Sequence, residues 1–146
     1  MKLAKLLTAS FLAMLAAFPV TAQQAKTAEG LVINLGLMSA GQAIHAEGHR
    51  DLHPDKFPSG SQHVLITLAQ ENTGRRIGDA VVVVEVIDPK GKAEKKPLLR
   101  TRGGGLPDYS ELFVFGWSGK YLVRVSILPP GGAMPVRTSF TVHHTL

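Results

Sequence analysis

Residues 80–87 read AVVVVEVI and are followed at once by the tetrapeptide DPKG at 88–91. β-branched side chains fit the pleated surface of a sheet, so this run predicts a central strand that is covered on both faces. The proline fixes one backbone angle and the glycine supplies a left-handed position, which together predict a reversal of the chain. Residues 92–100 then carry the lysines and the proline that are typical of a solvated edge strand.

Further strands are indicated by the side-chain pattern on both sides of this run. Apolar residues recur at every second position, as in half-buried strands, at 31–37, 64–68, 109–115, 121–127 and 136–142. The spacing of about seven strands predicts an all-β fold, an immunoglobulin-like β-sandwich. We place this single domain at residues 30–146, after a polar and flexible lead-in at residues 23–29.

Residues 1–22 have the features of a signal peptide. Lys2 and Lys5 form a short positive segment, and the apolar run at 6–18 (LLTASFLAMLAAF) is too short to cross a bilayer as a helix. The small residues that follow suit a signal peptidase. We therefore predict a signal-peptide helix, cleavage after Ala22, a periplasmic location and no membrane span in the cleaved chain.

The composition narrows the class of protein once the signal peptide is set aside. The full chain of 146 residues has a formal net charge of +5, 45% hydrophobic residues and no cysteine. Residues 23–146 keep fourteen Lys and Arg against eleven Asp and Glu, a net charge of +3. This balance argues against a nucleic-acid binder, because such proteins are more basic and interleave aromatic with basic residues. The absence of cysteine also excludes a disulfide-stapled domain.

One segment, residues 39–53 (SAGQAIHAEGHRDLH), does not follow the strand pattern. Ser39 and Gln42 have the spacing of a helix capping box, and Pro54 would end a helix. Each of the two glycines, however, costs a helix about 1 kcal/mol relative to alanine. The sequence leaves a short helix and an irregular loop equally open here.

The candidate chemistry lies in a group of histidines, His45, His49, His53 and His63. The first three are spaced four residues apart, which places them on one side of either a helix or a strand. Imidazole is the commonest side-chain ligand of transition metals in proteins. We therefore predict these four residues as ligands of a transition metal, copper or zinc.

Neighbouring side chains suit such a site. The carboxylates of Glu47, Asp51 and Asp55 are able to bind a metal or to orient the imidazoles, and the thioether of Met38 favours Cu(I). The alternative is that histidines in a loop rich in glycine, aspartate and proline lie in solvent and bind nothing. Their spacing matches no HExxH motif.

Two other sequence features near the end of the chain have structural interpretations. His143 and His144 are adjacent, and adjacent strand residues point to opposite sides, so we expect a frayed terminal pair rather than one site. Trp117 lies in the stretch FGWSG at 115–119, between two predicted strands. We expect it to fill a corner of the core.

Nothing in the sequence indicates catalysis. There is no GxSxG elbow and no cysteine nucleophile, so a non-enzymatic protein is predicted. Residues 100–108 (RTRGGGLPD) lack the Gly-Lys-Ser/Thr of a phosphate-binding loop, and we expect a long flexible connection between the two sheets there. Arg75 and Arg76 are expected at a solvated loop tip.

Three stretches resemble the small exported immunoglobulin-like domains called YtkA-like, which are akin to CopC-like copper proteins. They are GDAVVV at 78–83, LPDY at 106–109 and GWSGKYLVRV at 116–125, and the similarity extends over about residues 60–142. The resemblance implies a periplasmic β-sandwich close to copper handling or metal homeostasis. CopC-like proteins use a histidine near the mature N-terminus, whereas the first histidine here is His45, so no ligand is carried over.

The sequence therefore predicts an exported accessory or carrier protein that binds a metal ion such as copper. The alternative is a metal-free interaction or structural module of the cell envelope, whose partner is another envelope protein. Neither interpretation involves nucleic acid.

Overall fold

The computed structural model describes residues 22–42, 56–101 and 107–146. It is an immunoglobulin-like β-sandwich of two antiparallel sheets, as the sequence predicts. The five-stranded sheet has the order β1-β2-β3-β7-β6, and the four-stranded sheet the order β5-β4-β8-β9. The strands are β1 (Ala22–Ala28), β2 (Leu31–Ser39), β3 (Ser61–Gln70), β4 (Val81–Ile87), β5 (Ala93–Pro97), β6 (Leu99–Thr101), β7 (Asp108–Val114), β8 (Gly119–Leu128) and β9 (Val136–His144).

The core lies between the two sheets and follows from the alternation of side chains. Every second residue of the long strands is buried, and the largest fully buried side chains are aromatic or branched. They include Tyr109, Tyr121, Phe113, Phe115, Phe140, Ile33, Leu35, Ile66, Leu68 and Ile127. The runs that alternate in the sequence are therefore the strands that close the core.

Residues 23–29 were predicted to be a flexible lead-in, and that prediction is wrong. They form most of β1, which pairs with β2 from Ala22↔Leu37 to Ala28↔Leu31. Glu29 and Gly30 join the two strands with φ angles of 46° and 78°, as in a two-residue hairpin turn. The polar composition reflects an edge position, because an edge strand keeps most of its side chains in water.

The central strand β4 lies between β5 and β8, but only one of its faces is covered. Val82, Val84 and Val86 are buried, whereas Val81 on the outer face is 58% exposed. The prediction of cover on both faces is therefore wrong, since an antiparallel sheet packs through one face. The edge strand predicted at 92–100 is confirmed only in its first part, which is β5, because residues 99 and 100 belong to β6 in the other sheet.

The chain crosses between the sheets at Leu98, not at residues 100–108. Leu98 is buried and its N–H donates to the Val82 carbonyl at 2.8 Å. β6 and β7 are then neighbours in one sheet, so the expectation of an inter-sheet connection at 100–108 is wrong. Residues 102–106 of that stretch lie outside the described residues.

After β2, residues 40–42 form one helical turn. The Ser39 N–H and hydroxyl donate to Gln42 Oε1 at 3.3 and 3.1 Å, and the Gln42 N–H donates to Ser39 Oγ at 3.3 Å. This confirms the capping box. Within the described part of the chain, no helix has the length and apolar character needed to cross a membrane.

Candidate metal centre

His63, the one predicted ligand that the described residues include, lies on the outer face of the five-stranded sheet. Its strand neighbours Gln62 and Val64 are buried, and its own side chain is half-buried. In the register of the sheet, His63 stands opposite Met38 on β2 and opposite Leu112 on β7. The His63 imidazole and the Met38 thioether are therefore directly opposite each other on neighbouring strands. Residues in this position have Cβ atoms about 4.5–5.5 Å apart.

This pair lies at the end of the sheet where the chain leaves for residues 43–55. Ser39 pairs with Gln62 at that end, and the capped turn at 40–42 follows directly. The chain is described again from Lys56, five residues before β3 begins. Met38, near the end of β2, thus precedes the segment that contains the other predicted ligands, and His63, near the start of β3, follows it.

His45, His49 and His53 lie outside the described residues, as do Glu47, Asp51 and Asp55. Within the ranges that are described, no group of three or more His, Cys, Asp or Glu side chains is placed to hold a metal ion. Met38 and His63 supply two donors, fewer than the three or four protein ligands of a zinc site. They fit a copper site only with further ligands.

The terminal histidines do not join this pair, and they are not frayed. Both belong to β9, where His143 pairs with Lys120 and His144 with Gly119. His143 is exposed on the outer face of the four-stranded sheet, so the whole sandwich separates it from His63. The two sheets alone are about 10 Å apart.

His144 points the other way, into the end of the core. Its ring makes edge contacts with Phe115 and Tyr121, at centroid distances of 5.5 and 6.2 Å. Its Nε2 is buried and has no hydrogen-bond partner. Burial lowers the pKa of His144 below its ordinary value. The ring therefore acts as a packing group.

At the opposite end of the sandwich, Arg76 and Asp108 form an ion pair that sequence analysis does not predict. Burial raises the pKa of the Asp108 carboxyl, and the Arg76 guanidinium opposes that rise. Arg76 was predicted at a solvated loop tip. That prediction is wrong, because the Arg76 side chain pairs with Asp108 and its backbone forms an isolated β-bridge with Ala69. Arg75 is exposed as predicted.

The ion pair borders a cavity of 810 Å³ at that end. Its lining includes both acidic and basic groups, among them Glu29, Glu71, Arg75 and Asp79. Asp79 forms an ion pair at 3.1 Å with Arg100, which is not part of the cavity lining. Because its lining carries charges of both signs, the cavity indicates no single ligand chemistry, and it does not compete with the histidine end as a candidate site.

The fold and the position of the His63–Met38 pair define a small two-sheet β-sandwich with an imidazole and a thioether at one end. Solved structures of similar fold include FetP of uropathogenic Escherichia coli strain F11, produced in the periplasm (14% identity, 84% of this chain and 93% of that chain, TM-score 0.66). Another is the copper-reconstituted P19 protein of Campylobacter jejuni (13% identity, 84% of this chain and 93% of that chain, TM-score 0.64). A third is a DUF4426 family protein of Pseudomonas aeruginosa PAO1 (13% identity, 85% of this chain and 95% of that chain, TM-score 0.65).

At these identities the similarity establishes the fold, and we transfer no ligand residue from those proteins. No protein-family profile matches the chain. No curated protein matches it in sequence either. The resemblance to YtkA-like and CopC-like domains is thus supported at the level of the β-sandwich.

Proposed function

We propose that this protein is an exported, periplasmic β-sandwich protein that binds copper as a non-enzymatic accessory or carrier. The ligands in this proposal are His63, with Met38 beside it, and His45, His49 and His53 from the adjoining segment. The observation that carries it is the direct cross-strand pairing of Met38 with His63 at the end of the sheet from which that segment departs.

The chemistry of these donors favours copper over other metals. A thioether is a soft ligand that suits Cu(I), and imidazole binds both copper and zinc. Affinity for divalent metals also peaks at copper along the first transition series. The cysteine-free chain has no thiolate to offer, so imidazole, thioether and carboxylate are its metal donors.

The structural comparisons support the proposal without assigning its details. Copper was reconstituted into P19, and FetP was produced in the periplasm, and both share this fold. The sequence of residues 1–22 supports export independently, since it has the three regions of a signal peptide. An accessory role fits a chain in which the sequence offers no nucleophile motif.

A metal-free interaction module of the envelope is the second candidate. The two candidates differ in one measurable property, the stoichiometric retention of a metal.

The test is metal analysis of the purified protein after loading with Cu(I), Cu(II) or Zn(II) and removal of excess metal. We expect stoichiometric copper, and a loss of affinity of about 10- to 100-fold or more in His63→Ala, since even the partners of metal ligands have effects of that size. His45→Ala with His49→Ala should have a comparable effect. Met38→Leu should weaken Cu(I) more than Cu(II).

The matched control is His143→Ala, which removes an exposed imidazole from the opposite face of the sandwich. Copper binding should be unchanged in this variant. Absence of stoichiometric metal at micromolar concentrations would overturn the proposal and favour the metal-free module. Equal losses in His63→Ala and His143→Ala would show that surface histidines bind copper nonspecifically.

A further inference from the structure

The outer face of the four-stranded sheet carries most of the excess positive charge of the described chain. Outward-pointing side chains of β5, β8 and β9 place four cations on it, Lys95, Lys120, Arg124 and Arg137. Among the described residues, Glu85 is the one acid on this surface, which we call the basic face.

The basic face holds most of the excess positive charge of the described residues. The described residues include twelve Lys and Arg against eight Asp and Glu, an excess of four. The basic face holds four cations against one acid, so it accounts for three of that excess. The rest of the described chain is almost balanced. A concentrated field of one sign attracts partners of the opposite sign and orients them.

The strand register fixes how these groups are arranged. One row across the sheet runs Lys95, Glu85, Arg124, Ser139, and the next runs Pro97, Val83, Ser126, Arg137. Between the rows lies a depression of 350 Å³ whose lining includes all of these except Pro97. Its walls therefore combine guanidinium and ammonium groups with serine hydroxyls and the side chain of Val83.

Most of the cations of the basic face are free to bind a partner. Arg124 pairs with Glu85 at 3.3 Å. Lys95, Lys120 and Arg137 have no ion pair and no side-chain hydrogen bond with any other described residue. Glu85 holds Arg124 in place across the depression. The Arg137 guanidinium, which also lines the depression, is able to bind a carboxylate through two parallel hydrogen bonds.

We propose that the basic face docks an acidic segment of a partner protein. Carboxylates of that segment pair with Arg137 and Lys95, and with Lys120 further along the sheet. The serine hydroxyls and Val83 supply the polar and apolar contacts typical of protein interfaces. This surface is distinct from the His63 end, so the proposal stands independently of metal binding.

A protein partner fits this surface better than a lipid bilayer does. Glu85 lies in the middle of the face, where it would be repelled by anionic headgroups. Membrane-bound faces also present aromatic side chains at the headgroup level, whereas the strands of this face direct no Phe, Tyr or Trp side chain outward. Trp117, the one tryptophan of the chain, lies outside the strands of this face, in the β7–β8 connection.

The test is fluorescence anisotropy with a labelled polyglutamate peptide and the purified protein at low salt. A polyglutamine peptide of equal length is the neutral probe. We expect saturable binding of polyglutamate alone, weakened by added salt because exposed ion pairs are screened. The double variant Lys95→Glu with Arg137→Glu should weaken binding about tenfold or more, since it turns two attractions into repulsions.

The matched control changes the same net charge elsewhere, with Lys56→Glu and Arg75→Glu, both exposed and both away from the basic face. Its binding should stay within about twofold of the unsubstituted protein. Equal losses in the two double variants would overturn the proposal, because overall charge would then explain binding. Binding to vesicles containing anionic lipid, sensitive to Lys95→Glu with Arg137→Glu, without binding to polyglutamate would overturn it in favour of a membrane.

Discussion

Gly60 and Phe115 lie backbone to backbone, and this contact joins the start of β3 to the β7–β8 connection. The Phe115 N–H donates to the Gly60 carbonyl at 2.8 Å. A Cβ on Gly60 would lie 2.3 Å from the Phe115 carbonyl oxygen, and the glycine has φ +80°. Both the space and the backbone angle therefore require glycine.

Gly60→Ala should destabilise the protein by about 3 kcal/mol, because it adds a backbone clash to the cost of a left-handed alanine. The measurement is the free energy of unfolding in urea. Gly91→Ala is the matched control, since Gly91 has φ +86° and nothing within 4 Å of an added Cβ. The control should lose about 1–2 kcal/mol. Equal losses would show that the contact with Phe115 contributes nothing.

Tyr109→Phe should destabilise the protein by about 1–3 kcal/mol, because it leaves two partly buried backbone groups without a partner. The Tyr109 hydroxyl donates to the Ile77 carbonyl and accepts from the Ala80 N–H, each at 3.0 Å. It thereby holds the β3–β4 connection against β7. Tyr121→Phe tests the same principle at the other end, where the hydroxyl bonds the Trp117 N–H and carbonyl. Unfolding free energies unchanged in both variants would contradict the argument.

The β-sandwich was predictable because each strand carries its own pattern. Every alternating run in the sequence became a strand, and the sheet register then placed Ile33, Ile66 and Phe140 in one core. Sequence analysis missed β1 and did not separate β6 from the edge strand predicted at 92–100, because both strands lack that pattern. β1 is polar along its length and β6 has three residues, so their pairing depends on neighbours rather than on local sequence.

Side-chain positions at the two ends of the sandwich were not predictable in the same way. Trp117 was expected in the core, yet it is 48% exposed and lies under the Lys90 ammonium at 3.1 Å from the ring centroid. Tyr121 fills the corner instead. The ion pair of Arg76 with Asp108 likewise joins residues far apart in the chain. The pairing of His63 with Met38 needed the sheet register, which spacing alone does not supply.

The stability of the protein should fall as the pH is lowered from 7 toward 5, in part through His144. Burial lowers the folded-state pKa of His144 below the unfolded value of 6.5. The contribution of His144 to the free energy of unfolding is therefore fully present above pH 6.5. It decreases as the pH falls below that value, because the unfolded chain binds the proton more readily than the folded protein does.

Replacing His144 by Phe should flatten this part of the pH dependence, since the variant keeps an aromatic ring against Phe115 and removes the titrating group. The measurement is the urea unfolding free energy at several pH values between 7 and 5. His143→Phe is the matched control, because its side chain lies on the exposed side of the same strand. An equal flattening in the control would show that the slope arises elsewhere.

Removing the side chains that cover the edge of β9 should promote self-association. Lys26 Nζ donates to the Ser139 carbonyl, and Gln24 Nε2 to the Thr141 carbonyl, each at 2.6 Å. β1 and β9 are edges of different sheets, so these two bonds close one side of the sandwich. An open edge offers unpaired carbonyls to another chain.

The variant Gln24→Ala with Lys26→Ala should lose no more than about 1–2 kcal/mol of stability, because water replaces exposed hydrogen bonds. Its average mass in sedimentation velocity should nevertheless rise with concentration more steeply than that of the unsubstituted protein. Gln23→Ala with Thr27→Ala changes the other face of β1 and should leave that dependence unchanged. If both double variants associate alike, the loss of polar surface on β1 is the cause. If neither does, the β9 edge is protected by other means, and the two bonds serve only to hold β1 in place.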